Sequence, residues 1–163
     1  MSNHVASIVE PSTELLSTLK ADHEKVKELF EQFEQTTDEE ERAAIIKSVI
    51  RNLEVHAEIE EKLIYPAIRE QLEDKELINE SLEEHHVVHI LIKELKDSRV
   101  KQDRRNAKFR VLVENVKHHI TEEEDNLFPE ALGLDLDWDS LSVKVEKKKA
   151  QLESKGLHPK RSR

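Results

Sequence analysis

Leu16, Leu19, His23, Val26, Phe30 and Phe33 recur at spacings of 3, 4, 3, 4 and 3, the rhythm of one buried helical face. Pro11 and Ser12 open this first predicted helix, with Ser12 or Thr13 as its N-cap. Thr36 to Asp38 break the rhythm, and Thr37 with Glu40 fits a capping box for a second helix. Its stripe, Ile46, Val49, Leu53, His56, Glu60 and Leu63, has the same spacing, and Pro66 is expected to end or kink it. A third helix from about Asp74 carries Ile78, Leu82, His85, His89 and Ile92 on one face. After a polar connection over Lys101 to Asn106, a fourth shows Phe109, Leu112, Val116, His119, Glu123 and then Asn126 or Leu127, with Gly133 closing the region. Trp138, Leu141, Val145 and Leu152 mark a fifth, amphipathic helix with Lys147 to Lys149 on its basic face, either packed on the bundle or available as an oligomer contact.

The chain repeats itself. Residues 56 to 66, HAEIEEKLIYP, return as HITEEEDNLFP at 119 to 129, a constant offset of 63. Asp22-His23 of the first helix matches Glu84-His85 of the third at an offset of 62, with Val26 opposite Val88 and Phe30 opposite Ile92. The pattern is a duplicated helical hairpin. A histidine and a glutamate four residues apart lie about 40° apart around a helix, one turn above the other, so both can reach one target.

His23, His56, Glu60, His85, His89, His119 and Glu123 therefore interrupt four apolar seams at matching height. A buried, unpaired carboxylate is several kcal/mol unfavourable, and two facing each other are worse. Two iron ions would compensate them, with carboxylates shared between the ions and imidazoles filling the remaining positions. Glu58, Glu61, Glu122 and Glu124 leave the seam and are expected in solvent, with Glu61 or Glu124 the alternative acceptors for imidazole N–H groups. His86 leaves the stripe. His118 lies about 100° from His119 and about 140° from Glu123, which makes His119 the better candidate. Tyr65 is expected to pack by its ring near the metal end, and His4 and His158 fall in loose termini without a role.

With 163 residues, two glycines and four prolines, the chain reads as one all-α domain. The expected division is a leader over 1–11, a bundle over 12–133, a C-terminal helix over 134–154 and a basic tail over 155–163. A net charge of −10 argues against a nucleic-acid partner. The absence of cysteine removes disulfides, thiolate metal sites and Cys nucleophiles. No apolar run approaches the roughly 18 residues of a membrane span and no signal peptide is visible, so a cytoplasmic protein is the default.

The doubled HxxxEExx(L/I)(Y/F)P motif, each copy with an upstream (D/E)H, resembles the hemerythrin-like family, whose members carry an HHE cation-binding domain. The resemblance covers roughly residues 12 to 130. It implies an up-down-up-down four-helix bundle with an additional C-terminal helix, around an oxo- or hydroxo-bridged pair of non-haem irons. It also implies ligand positions: His23 on the first helix, His56 with Glu60 on the second, His85 with His89 on the third as in the HxxxH of oxygen carriers, and His119 with Glu123 on the fourth. His85, His89 and His119 would then serve one iron, and His23 and His56 the other, leaving it an open position. The oxygen carriers resemble HxxxxD in the last helix, where this chain has HxxxE. The expected function is reversible O2 binding for storage, delivery or sensing, beside an apolar wall of Leu19, Phe30, Leu53, Leu112 and Val116. A di-iron enzyme acting on peroxide, ferrous iron or nitric oxide is the alternative, and an iron-handling or iron-sensing protein the third. Expected partners are O2 or a small oxidant, with neither nucleic acid nor membrane, and the chain is expected to be a monomer or weak homodimer.

Overall fold

The computed structural model describes residues 10–156. The expectations for residues 1–9 and 157–163, with His4 and His158, lie outside the described residues. The helices are α1 (Pro11–Gln35), α2 (Glu39–Ile59), α3 (Tyr65–Gln71), α4 (Glu76–Leu95), α5 (Gln102–Glu122), α6 (Phe128–Leu132) and α7 (Trp138–Gly156). Two π-helical turns, Glu60–Ile64 and Glu123–Leu127, join α2 to α3 and α5 to α6. α1 packs along α2 and α4 along α5, the two hairpins of an up-down-up-down four-helix bundle, and α7 lies against α1 and α2.

Helix starts differ from expectation by a residue or two, each for a local reason. Pro11 itself is the first helical residue and Glu10 the N-cap, because proline's fixed φ suits that position and its missing N–H would be unpaired there anyway. Asp38, not Thr37, caps α2: its carboxylate accepts from the Glu41 amide at 3.0 Å, and the Thr36 hydroxyl donates to the Glu41 side chain. α4 begins at Glu76, whose amide is taken by Asp74 Oδ1 at 2.9 Å. The connection before α5 is shorter than its polarity implied. Asn106 is buried inside that helix because its amide donates to both Glu39 oxygens, at 3.2 and 3.1 Å, with Arg105 on the same carboxylate at 2.9 Å.

Neither Pro66 nor Pro129 stops its helix. In each π turn the amide after it reaches back five residues, Tyr65 to Glu60 and Phe128 to Glu123, which widens the backbone where the proline ring would otherwise crowd a carbonyl. The extra residue also moves the seam on by one. Ile64 and Ile68 are fully buried while Leu63 is half-buried, and Leu127 is buried while Asn126 is exposed.

Two apolar clusters result. Leu16, Leu19, Ile64, Ile68, Ile78 and Phe128 anchor one end of the bundle. Val26, Phe33, Val49, Ile92, Phe109 and Leu112 anchor the other. The polar residues occupy the layer between them. α7 seals the first cluster with Leu141 and Val145, and its basic face turns onto the bundle through Lys149 to Asp22 at 3.1 Å and Lys148 to Glu58 at 3.5 Å. No helix among the described residues is long and apolar enough to cross a membrane.

Candidate metal centre

Six of the seven seam residues meet in the middle layer, all at least nine-tenths buried: His23 from α1, His56 from α2, His85 from α4, His119 from α5, and Glu60 and Glu123 at the head of the π turns. Two buried groups form, His23–His56–Glu60–Glu123 and Glu60–His85–His119–Glu123, so both carboxylates belong to both, and a third, Glu61–His85–His89, lies toward the rim. In the first, His56 Nε2 is 3.0 Å from Glu60 and His23 Nε2 is 3.2 Å from Glu123. In the second, His85 Nε2 is 3.4 Å from Glu60 and His119 Nε2 is 3.3 Å from Glu123. The paired Nε2 atoms face each other at 3.1 Å (His23, His56) and 3.0 Å (His85, His119).

The seventh residue, His89, stands outside the buried layer and joins His85 through Glu61. Its side chain is 44% exposed, on the rim, with Nε2 2.8 Å from Glu61. The buried seam of α4 is Ile78, Ser81, His85, Val88, Ile92 and Leu95, spaced 3, 4, 3, 4 and 3, which turns position 89 outward. His118 is 70% exposed and His86 is exposed.

Behind each buried imidazole stands a carboxylate near its Nδ1: Asp22 at 3.1 Å from His56, Glu61 at 3.0 Å from His85, Glu84 at 3.4 Å from His119, and Glu124 at 3.5 Å from His23. Glu61 therefore serves as an acceptor, for His85 at 3.0 Å and His89 at 2.8 Å, whereas Glu124 stands near His23 Nδ1 without an aligned hydrogen bond. Asp22 and Glu84 were not anticipated. The readable signal was their position directly before a seam histidine. An Nδ1–H directed at a carboxylate fixes the tautomer and leaves the Nε2 lone pair facing the centre.

Tyr65 reaches further in than a packing ring. Its hydroxyl donates to Glu123 and lies 3.2 Å from His85 Nε2 and 3.4 Å from His119 Nε2. Its counterpart in the repeat, Phe128, instead stacks on His23, with ring planes 4° apart.

The electrostatics of this layer are those of an interior charged from both sides. Burial alone would push His56 down, but Glu60 and Asp22 outweigh it and hold the imidazole well above its ordinary range. His119 rises to about 10 against the same burial, through Glu123 and Glu84, and His85 rises through Glu60 and Glu61. Burial would raise Glu60, yet His56 and His85 bring it well below the usual carboxylate value. For Tyr65, burial and the two glutamates act together and keep the phenol protonated.

Even so, both oxygens of Glu60 and Oε1 of Glu123 lack an aligned hydrogen-bond donor. Orphaned anionic oxygens at full burial, opposite converging Nε2 atoms that can give up their protons, are a donor set suited to cations. Beside the four imidazoles lies a cavity of about 40 Å³, walled by Val26, Leu53, Ala57, Val88, Val116 and Ile120. Leu53 and Val116 thus line it as expected, whereas Leu19, Phe30 and Leu112 pack in the clusters beyond.

Fold and site together define a helical bundle with a buried His/Glu cluster able to bind metal. The family model described as the hemerythrin HHE cation-binding domain matches residues 14–131, and the chain belongs to that family. Among solved structures it is similar to a hemerythrin HHE cation-binding domain-containing protein from Mycobacterium kansasii, with a TM-score of 0.70 and 24% identity over 86% of this chain and 88% of that one, a likeness of fold. A protein of Nostoc sp. described as a DNA nickase is 27% identical over 113 residues, 68% of this chain, and the match spans only 31% of that protein's length.

Proposed function

We propose that the cluster holds two iron ions sharing Glu60 and Glu123, and that the protein binds O2 reversibly for storage, delivery or sensing. The supporting observation is the small apolar cavity against the imidazoles, of a size for a diatomic molecule and walled by aliphatic side chains. Iron in this site would supply redox chemistry and coordination positions beyond those the protein fills. The chain contributes the rest. Asp22, Glu61 and Glu84 orient three of the imidazoles, and the flanking apolar clusters limit water around the layer. His89 enters as a support for Glu61.

One observation favours a second reading, an enzyme acting on peroxide. The Tyr65 hydroxyl, held protonated and placed on Glu123, is a proton donor at the centre itself. Anaerobic purification, metal analysis and optical spectra through cycles of air and argon separate these readings. Two irons per chain and a spectrum that reverses on removing O2 support carriage or sensing. One-way oxidation overturns it, and steady O2 evolution from peroxide, lost in Tyr65→Phe, supports the enzyme.

A further inference from the structure

We infer that the groove between α1, α2 and α7 is a binding site for a phosphate-bearing small molecule, seated on Lys25, Arg51 and Lys149. The groove has a volume of about 470 Å³, within the range of small-molecule sites and far more than a bare anion fills. Each of the three helices sends one cation to it: Lys25 from α1, Arg51 from α2 and Lys149 from α7. Against these stand two carboxylates, Asp22 and Glu153, so three positive charges less two negative leave +1 locally on a chain of net −10. A guanidinium fork beside two ammonium groups suits a tetrahedral dianion, which can take several charged hydrogen bonds at once.

The cations differ in how they are engaged. Among the described residues, neither Lys25 nor Arg51 has a carboxylate within ion-pair distance. Among the described residues Arg51 donates to the Glu153 carbonyl alone, at 3.3 Å. Its guanidinium occupies the space a side chain at position 156 would need: a Cβ on Gly156 would fall 1.7 Å from its Nη1. Glycine there lets Arg51 lie along the α7 terminus with its remaining N–H groups uncommitted. Ser48 and Asn52 add polar groups along the same wall for the body of the ligand.

Lys149 is the linked cation. It pairs with Asp22, and Asp22 in turn stands behind Nδ1 of His56, which forms part of the groove's lining. A phosphate that draws Lys149 toward itself leaves Asp22 to His56 alone, so occupancy of the groove and the setting of His56 are coupled. α7 lies outside the span matched by the family model, residues 14–131, so the groove is an addition to the bundle. The site does not depend on which metal fills the centre.

Isothermal titration of the full, metal-loaded chain with inorganic phosphate and with ribose 5-phosphate tests this. Saturable binding of ribose 5-phosphate is expected, tighter than inorganic phosphate, and weakened about tenfold or more by Arg51→Ala and by Lys25→Ala, each removing one charged hydrogen bond. Both residues are exposed, and an unchanged melting temperature confirms that the variants fold. Asp22→Asn releases Lys149 and is expected to tighten binding about tenfold, more than Glu153→Gln, which removes the same charge without freeing a lysine. Absence of saturable binding overturns the proposal. So does binding that Arg51→Ala leaves unchanged, which would place the anion at the metal centre or elsewhere, and so does equal tightening by Asp22→Asn and Glu153→Gln, which would sever the link to Lys149.

Discussion

Metal binding at the centre at pH 7 should expel about two protons, because His56 is held well above the ordinary imidazole value and His119 at about 10, while a ligating Nε2 must be bare. The magnitude follows from His119. Its pKa of about 10 lies three units above pH 7, so removing that proton costs roughly 4 kcal/mol, which metal binding must exceed. Each expelled proton makes the apparent metal affinity rise about tenfold per pH unit until that group's shifted pKa is passed. Calorimetric metal titrations in buffers of different ionisation enthalpy count the protons directly, and His119→Gln should lower the count by about one. The metal-free chain gives a second reading of the same groups. A folded-state pKa raised above the unfolded one stabilises fully below about pH 6.5, and for His119 that contribution is lost as pH rises through about 10. The metal-free chain should therefore melt at a lower temperature at the alkaline end of this window. Release of fewer than one proton per chain, or a melting temperature flat across the window, would refute the protonated network.

Chelation should lower the melting temperature by roughly 8 to 16 °C, since metal at a thousand times its Kd contributes about 4 kcal/mol to a domain of this size; equal melting with and without metal would count against a resident ion. Asp22→Asn and Glu61→Gln should each weaken metal binding about 10- to 100-fold in chelator competition, while His118→Ala, on a side chain 70% exposed, should leave it unchanged. Phe109→Ala, at a fully buried ring against Phe30 and Phe33, should cost about 3–5 kcal/mol by urea unfolding, and Val111→Ala, half exposed two residues away, less than about 0.5 kcal/mol.

The seams of α1 and of α5 up to Glu123 were legible because a 3-4 rhythm of large apolar side chains has few other uses. The rhythm misled where the backbone left the α-helix. A π turn inserts one residue that no α-helical count anticipates, so Leu63 was read where Ile64 packs. On α4 two registers competed, and the histidine-bearing one was chosen. The internal repeat contained the correction, since an offset of 62 sets His89 opposite Lys27, a surface position, and Val88 opposite the buried Val26. Asp22 and Glu84, unlike Glu61 and Glu124, were missed for another reason. Each acts on a histidine of the next helix of its hairpin, so spacing along one helix does not identify its partner.

The duplication explains how the centre is shared. Each hairpin brings its own two imidazoles, His23 with His56 and His85 with His119, but each group borrows a carboxylate from the other hairpin. The supports are split in the same way. Asp22 and Glu84 act within their hairpins, while Glu61 reaches across to His85 and Glu124 back to His23. Neither hairpin alone can complete a group, so metal binding and docking of the two hairpins favour the same arrangement. What the copies hold in common is therefore the set of buried donors, and what distinguishes the two groups lies where the copies diverge. Tyr65 puts a hydroxyl beside His85 and His119, where its counterpart Phe128 offers His23 only a ring face. Lys149 stands behind Asp22 and His56, whereas the matching Glu84 has His118 for its neighbour at 3.8 Å. Two groups with the same donors thus sit in different surroundings, one beside a buried phenol and one beside a cationic groove. Any division of labour between them would arise from those surroundings.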